Sequence, residues 1–387
     1  MNTRRQAAFA VARWIATHAH PAEFLPEGGE RAFVQDLVFT TVRRFRPLRA
    51  VLGRLVERWP RGEMEALLLV GAAQILYMPD VPDFAAVSET VEAAKACPNP
   101  SIARVVNAVL RNLLRRRDEF DEYLRTAPLA ERESYPNGLV ARWVARYGAE
   151  NAERLAVHHN APAEMFLAYP DGRFEKLARG RRVADEPGYA DGDFIVQDPA
   201  TAIAVELLDM KPGVSALDYC AAPGGKTVQM AWRMAGGEGG RLVACEVNPK
   251  RLVRLRENLA RCRLQWVEVL QCEPEGTFDR VLVDAPCSNT GVLRRRPDAR
   301  WNWTSERIVE LAALQLEILS AAAAHVAPGG TLVYSTCSNE PEENGGTVER
   351  FLAGHGEFAE TARRESLPFE TGHDGAFACA MRRHGGV

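Results

Sequence analysis

Asp284 and Cys287 close an apolar run in VLVDAPCSNTG (residues 281–291), and a second thiol, Cys337, closes TLVYSTCS (residues 331–338). Each stretch reads as a buried strand that opens into a polar loop. Pro286 stiffens the turn between the acid and the first thiol. In open α/β sheets ligands bind beyond the C-terminal ends of the strands, so both thiols would be presented at a site. A thiol is useful against an electron-poor carbon that must be activated by addition. Carbon 5 of cytosine is a poor nucleophile of this kind. A thiolate adding to carbon 6 makes carbon 5 enamine-like and able to take a methyl group from a sulfonium donor. The thiol then leaves as the carbon 5 proton is removed, so that one hard step is split into easier ones. An acid near N3 and the exocyclic amine, such as Asp284, would stabilise the charge that develops on addition.

A donor loop is present as well. LDYCAAPGGKT (residues 217–227) reads as strand, Gly-rich loop and helix start. Gly224 and Gly225 let backbone approach a ligand closely, and the helix N-terminus offers unpaired N–H groups to an anionic group. A Walker A loop is excluded because Cys220 stands where its first Gly is required. The dinucleotide fingerprint G-x-G-x-x-G is absent too. What remains is a nucleoside ligand carrying a carboxylate, and S-adenosylmethionine fits. Its carboxylate would meet the loop amides, and Glu246, at the end of the next strand, would accept hydrogen bonds from the ribose hydroxyls. The plainer alternative is a tight turn without ligand. Two acid-ended strands around a double Gly argue against it.

These residues need a sheet to carry them, and the chain from Phe194 onward supplies one. Strands are expected over 215–219, 241–246, 266–270, 280–284 and 331–335. Helices are expected over 198–208, 226–234, 249–262, 304–325 and 346–351, and a closing hairpin over 358–382. Such alternation implies a parallel sheet with helices on both faces. The chain up to about Arg125 reads instead as helices: 31–55, 63–77, 84–96 and 102–117 carry apolar residues at helical spacing. They are separated by Pro60-Arg61-Gly62, residues 79–82 and residues 97–100. Short connections make this a compact bundle. Arg43, Arg44, Arg46 and Arg49 cluster near one helix end, and Arg111, Arg115, Arg116 and Arg117 near another. Solvated helix faces and phosphate contacts are equally good readings of these clusters. Between bundle and sheet, residues 126–135 look like a linker, 137–160 like two short helices, 163–168 like a strand, and 171–192 like a small α+β connector.

The length of 387 residues suits two or three domains. Hydrophobic residues at 47% and charged residues at 26% describe an ordinary globular chain, and no apolar run approaches a membrane span. The start, MNTRRQAAFAVARW, reads as an amphipathic helix rather than a signal peptide, because Arg13 breaks its Ala-rich run. Eight scattered cysteines include no C-x-x-C pair and no His/Cys cluster at zinc spacing, so no metal site is expected and a reduced, cytoplasmic protein is. Cys220, Cys245, Cys262, Cys272 and Cys379 lie in apolar or helical settings where Cys is an ordinary small core residue. The net charge of −3 does not announce a nucleic-acid binder, so any such binding must rest on local basic patches.

At this point the chain resembles a known family, the RsmB/Nop/Sun RNA cytosine-5 methyltransferases. The resemblance is carried by VQDPA (196–200), LDYCAAPGGKT, FDRVLVDAPCSNTGVLRRRPDARW (278–301), LVYSTCSNEPEEN (332–344) and GHDGAF (372–377). The bundle is similar to NusB-type RNA-binding domains through AVSETVEAAK (86–95) and RVVNAVLRNLLR (104–115). The fold implied is an all-α NusB-like bundle (1–125), a linker and small α+β connector (126–195), and an α/β Rossmann-like S-adenosylmethionine-dependent methyltransferase domain (196–387). The resemblance makes Cys337 the nucleophile and Cys287 the residue that helps release product, with Asp284 and Lys226 lining the donor and base pocket. It assigns S-adenosylmethionine to Cys220, Ala221, Ala222, Pro223, Gly224, Gly225 and Lys226 together with Glu246, Arg251, Glu273 and Asp284. Arg294, Arg295, Arg296 and Arg300 fall in the family's RRxPDxRW segment and are expected to position RNA phosphates. The expected partner is 16S small-subunit rRNA, met by a monomer with no membrane association.

One departure stands out. Where the family places Gly-Asp to read the adenine amine, this chain has Gln271-Cys272, followed by Glu273. Either Glu273 takes over in a shifted register or backbone alone holds the adenine. A non-catalytic RNA-binding or ribosome-assembly module, a tRNA enzyme and a cytosine-5 DNA methyltransferase are the competing functions.

Overall fold

A computed structural model describes residues 2–28, 30–234 and 239–385. The chain divides into two units: residues 1–160 with 296–303, and residues 161–295 with 304–387. Among the described residues no helix is long and apolar enough to cross a membrane.

The first unit is helical, with helices over Thr3–Thr17, Arg31–Arg43, Phe45–Gly53, Glu63–Tyr77, Asp83–Lys95, Ser101–Arg115, Arg117–Thr126, Leu129–Arg132 and Asn137–Asn160. The Asn2 side chain opens the first by accepting from the amides of Arg4 and Arg5, donors that a helix start leaves unpaired. Glu63–Tyr77 is buried all round from Glu65 to Ile75, as a helix at the centre of a bundle must be. The apolar pattern over 31–55 is two helices rather than one, because Arg44 leaves helical geometry (φ −103°, ψ 22°). The two helices expected over 137–160 meet at Gly148. Residues 126–135 are not a solvated linker. They contain a short helix and end in Ser134 and Tyr135, both fully buried. The connector expected over 126–195 is therefore divided, with 126–160 in the first unit and 161–195 in the second.

Residues 296–303 also belong to the first unit. Trp301 meets Phe45 edge to face at 5.5 Å and donates its indole N–H to the Val42 carbonyl at 3.1 Å. Arg300 has no exposed surface. Its guanidinium lies 4.0 Å from the Tyr135 ring and donates to the Ser134 carbonyl (3.1 Å) and Asn160 Oδ1 (3.0 Å). Burial lowers its pKa to about 10. Asp298, also buried, is paired with Arg296 (3.0 Å) and His20 (3.3 Å).

The second unit holds two sheets. The small one comprises β1 (Phe166–Ala168), β2 (Phe174–Lys176) and β3 (Ile195–Val196) in the antiparallel order β2-β1-β3. The large one comprises β4 (Ser215–Asp218), β5 (Arg241–Cys245), β6 (Glu268–Leu270), β7 (Phe278–Asp284), β8 (Val326–Thr336), β9 (Phe358–Ser366) and β10 (Ala376–Arg383). Its order is β6-β5-β4-β7-β8-β10-β9, parallel from β6 to β8 and antiparallel beyond. Successive strand residues face opposite sides. Ala216, Leu242, Leu282 and Val333 pack on one face with Val228, Leu252 and Leu255. Leu217, Val243, Val281, Val283 and Leu332 pack on the other with Leu319, Val348 and Phe351. Burial on both faces is why these strands read as unbroken apolar runs. Asn248 caps Pro249–Arg261 and Thr304 caps Ser305–Ala323. Strand order reverses between β4 and β7, so the crevice at their C-terminal ends is where such a sheet binds its ligand.

Candidate active site

β7 and β8 are paired in parallel with Asp284 beside Ser335, so the chain leaves the sheet from both at one level. Ala285 donates its N–H to the Ser335 carbonyl at 2.9 Å, and Gly291 to the Cys337 carbonyl at 3.0 Å. Gly291 sits so close that a Cβ would come within 2.8 Å of the Cys337 carbonyl and 2.7 Å of the Gly375 carbonyl. Only glycine allows this approach. The result is that Cys287 Sγ lies 3.2 Å from Cys337 Sγ. Asn289, at the left-handed φ of 61°, closes the group: Cys337 Sγ donates to its Oδ1 at 3.3 Å, and its Nδ2 donates to the Cys287 carbonyl at 2.9 Å. The hydrogen bond with Cys337, then burial, push the Cys287 thiol well above its ordinary pKa. Cys287 is thus a thiol at neutral pH, with its proton available to the neighbouring sulfur.

Beside this pair, Lys226 Nζ donates to Asp284 Oδ2 at 2.7 Å. Burial works against the ammonium charge, but the Asp284 carboxylate outweighs it and holds the Lys226 pKa above its ordinary value. Lys226 is the second residue of the helix Gly225–Arg233, whose N-cap, Gly224, has φ 104° and no side chain to satisfy the first amides. The Ala221 N–H donates to the Cys245 carbonyl at 2.9 Å, fixing the loop to β5. Arg251 braces the loop by donating to the Ala222 carbonyl at 2.7 Å while lying 3.4 Å from Glu246 Oε2. Asn258 Nδ2 donates to the Pro223 carbonyl at 2.8 Å. The Cys220 thiol is pushed up to about 12, chiefly by burial, and is no nucleophile.

The acids of this crevice are incompletely satisfied. Glu246 Oε1 accepts from the Asn248 amide at 2.8 Å, but Oε2 is buried without a hydrogen bond. Asp218, at the end of β4, accepts from the Thr227 hydroxyl at 2.6 Å through Oδ2, while Oδ1 is buried without a donor. Buried carboxylate oxygens without a hydrogen bond are costly and ask for donors, Asp218 Oδ1 most of all, since Glu246 Oε2 has at least the Arg251 ion pair at 3.4 Å. S-adenosylmethionine would bring them: a ribose diol for Glu246, an ammonium for the Asp218 end, and a carboxylate for the free amides after Gly224. The residues present therefore fit that group. Val247, next to Glu246, is an exposed apolar side chain (76%) that a flat base could cover.

Asp218 also makes a pH-dependent contribution. Burial, aided by the nearby Asp284 and Glu246 charges, raises its pKa from 3.8 to about 7, against the Thr227 hydrogen bond. A carboxyl whose folded pKa is raised favours folding at low pH, and that advantage is lost as pH rises from about 4 through about 7. Asp218→Asn should remove this slope. Relative to wild type it should gain roughly 2–3 kcal/mol of stability between pH 5 and pH 8, part of the about 4 kcal/mol that three pKa units carry over the whole range. Urea unfolding at the two pH values, without donor, measures it. Equal variant-minus-wild-type differences at both would show that Asp218 does not titrate in this range.

At the expected adenine edge, Gln271 and Cys272 are exposed and carry no site contact among the described residues. Glu273 is engaged instead. Its Oε1 accepts from the Tyr219 hydroxyl at 2.7 Å and lies 3.0 Å from His325 Nε2. Burial favours the neutral acid, but these two partners hold the carboxyl below its ordinary pKa. Tyr219 and His325 were not singled out by sequence, because nothing in their spacing shows that they converge on Glu273.

The arginine run lies elsewhere than a phosphate-facing loop would put it. Arg294 donates to the Pro162 carbonyl at 2.9 Å. Arg295 joins Asp198 (3.0 Å) to Asp374 (2.5 Å). Arg296 and Arg300 are committed within the helical unit as described. A basic run in sequence is here a set of internal ties, because each guanidinium is engaged by carbonyls or carboxylates, with Arg294 and Arg300 buried and Arg295 and Arg296 partly exposed.

Residues 205–380 match the family described as 16S rRNA methyltransferase RsmB/F, and residues 1–115 match the NusB family. The ribosomal RNA small subunit methyltransferase B of Serratia proteamaculans is 35% identical, over 90% of this chain and 89% of its own. That of Vibrio vulnificus is 34% identical over 98% and 99%. Among solved structures, PH0851 shares the fold with a TM-score of 0.78 at 21% identity over 99% of both chains. A methyltransferase homolog protein from Pyrococcus horikoshii follows at 0.58 and 24% identity, over 66% of this chain and 97% of its own.

Proposed function

The chain belongs to the RsmB/F family of 16S rRNA methyltransferases, and from that membership we propose that it methylates carbon 5 of a cytosine in small-subunit rRNA through a transient Cys337–carbon 6 bond. The observation that carries the covalent route is the pair of thiols held 3.2 Å apart at the ends of two adjacent strands. The methyl donor is S-adenosylmethionine, whose sulfonium supplies an electrophilic methyl group. Cys337 forms the carbon–sulfur bond at carbon 6. Asp284, oriented by Lys226, accepts a hydrogen bond from the exocyclic amine, and the Lys226 ammonium behind it offsets the negative charge that the ring gains on addition. Once carbon 5 carries the methyl group, its proton passes to water, the carbon 5–hydrogen electron pair closes the carbon 5–carbon 6 double bond, and the carbon 6–sulfur bond breaks with its pair going to Cys337. Cys287 then gives its proton to the departing sulfur, which makes that sulfur a better leaving group. The base has to leave its stack to reach a thiol at the end of a strand.

The reading is tested by offering the chain methyl-labelled donor with 16S rRNA, tRNA and small subunits, then digesting the RNA and mapping the labelled nucleoside by mass. One 5-methylcytidine in 16S rRNA is the expected result. Label on tRNA alone would move the substrate, and label on an exocyclic nitrogen would end the carbon 5 chemistry.

We also assign the RNA-facing surface of the helical unit to Arg104, Arg111 and Arg115. They are exposed on Ser101–Arg115, seven and four residues apart, on one face of the helix. None has an acidic partner among the described residues. Arg116 and Arg117 are paired with Glu119 (2.6 Å) and Asp83 (3.2 Å), and Arg44 with Glu133 (3.0 Å). Changing the three to Gln should weaken RNA binding across sequences and flatten the slope of log affinity against log salt by about 2. An unchanged slope in filter binding would place the surface elsewhere.

A further inference from the structure

Glu343 has no exposed surface, yet its carboxylate gathers donors from both thiol loops. Oε1 accepts from the Ser288 amide at 2.8 Å and from Gln315 Nε2 at 2.9 Å. Oε2 accepts from the hydroxyls of Ser288 and Ser338. Ser288 follows Cys287, and Ser338 follows Cys337. One side chain therefore binds the residue after each thiol to the same pair of oxygens. Gln315, from Ser305–Ala323, adds a third tie by donating also to the Pro286 carbonyl at 3.0 Å, just before Cys287. Tyr334 on β8 closes the group, with its hydroxyl 3.1 Å from Gln315 Oε1 and 2.5 Å from the Glu343 carbonyl.

Hydrogen bonds to an ionised carboxylate are about twice as strong as neutral ones. A sulfur–sulfur contact is weak and soft by comparison. The 3.2 Å separation is therefore set by what holds the loops, and the strongest shared holder is Glu343. Its negative charge also lies near enough to Cys287 to help keep that thiol protonated.

We propose that Glu343 is a positioning residue that locks the Cys287 loop to the Cys337 loop, so that Cys287 stands ready when the carbon–sulfur bond must break. The proposal rests on the covalent route given above. It makes Glu343 a residue of product release rather than of donor binding or thiol addition.

Two variants test it beside Cys287→Ala. Glu343→Gln keeps the size and an acceptor for Ser288 and Gln315 but removes the charge. Glu343→Asp keeps the charge and withdraws it by one methylene. Each is assayed for kcat, donor KM, thermal unfolding, and protein–RNA complex on a denaturing gel. Both should unfold cooperatively, lose at least tenfold in kcat, keep donor KM within threefold, and accumulate complex as Cys287→Ala does. The proposal is overturned if both variants keep kcat within threefold, if rate falls without accumulated complex, or if neither variant folds, since Glu343 would then be a core residue only. Absence of complex with Cys287→Ala itself would remove the covalent route, an outcome separate from the others.

Discussion

Cys337→Ala is expected to lower methyl transfer on the order of 10⁴-fold or more and to leave no covalent RNA complex under denaturing conditions. No other thiol can take its place at carbon 6. Cys287 is the nearest sulfur, but its proton is held by burial and by the contact with Cys337, so it offers little thiolate. Cys287→Ala should behave differently. Addition and methyl transfer proceed, the carbon 6–sulfur bond breaks slowly, and a protein–RNA complex builds up on the gel. Exchange of the two phenotypes would exchange the roles of the two thiols, and no complex with either would remove covalent catalysis altogether.

Asp284→Asn should cost roughly 10²–10⁴-fold in kcat, the range of a positioned acid–base group. The loss has two sources. The amide is a weaker acceptor for the exocyclic amine than the carboxylate, and Lys226 loses the partner that holds it at 2.7 Å. An unpaired, largely buried ammonium should also lower stability by roughly 1–3 kcal/mol. Donor affinity, measured by calorimetry, should change only a few fold, because the free amides after Gly224 and the Glu246 carboxylate do not depend on Asp284. Formation of complex in an Asp284→Asn, Cys287→Ala double variant at the rate seen with Cys287→Ala alone would show that Asp284 does not face the base.

The sheet was legible because burial on both faces leaves continuous apolar runs, and the residue that ends each run marks a strand terminus. Asp218, Glu246, Asp284 and Cys337 all follow from that rule. Glu343 was legible only as a letter in SNEPEEN, since its partners Ser288 and Gln315 lie 55 and 28 residues away. The arginines misled for a physical reason. A guanidinium meets phosphates, carboxylates and carbonyls with the same geometry, so Arg295 between Asp198 and Asp374 looks in sequence like Arg295 awaiting RNA. Tyr135 misled in the opposite way. It sits among polar residues and prolines, and its burial comes from distant partners: Trp143 against its ring at 5.0 Å, the Ala156 carbonyl on its hydroxyl, and Arg300, 165 positions later, over its face.

That last contact sets an order of events during synthesis. Translation delivers residues 1–160 first, but their unit is completed by 296–303, which emerge only after residues 161–295. At roughly 5–20 residues per second the delay is on the order of ten seconds. Throughout it, the Tyr135 face that Arg300 lies over and the Phe45 edge that Trp301 meets lack those partners, and the carbonyls of Val42 and Ser134 wait for their donors. The helical unit is thus early to be made and late to be sealed. A codon change at Trp301, deep in the catalytic half of the message, would leave the opposite end of the polypeptide exposed to chaperones and proteases.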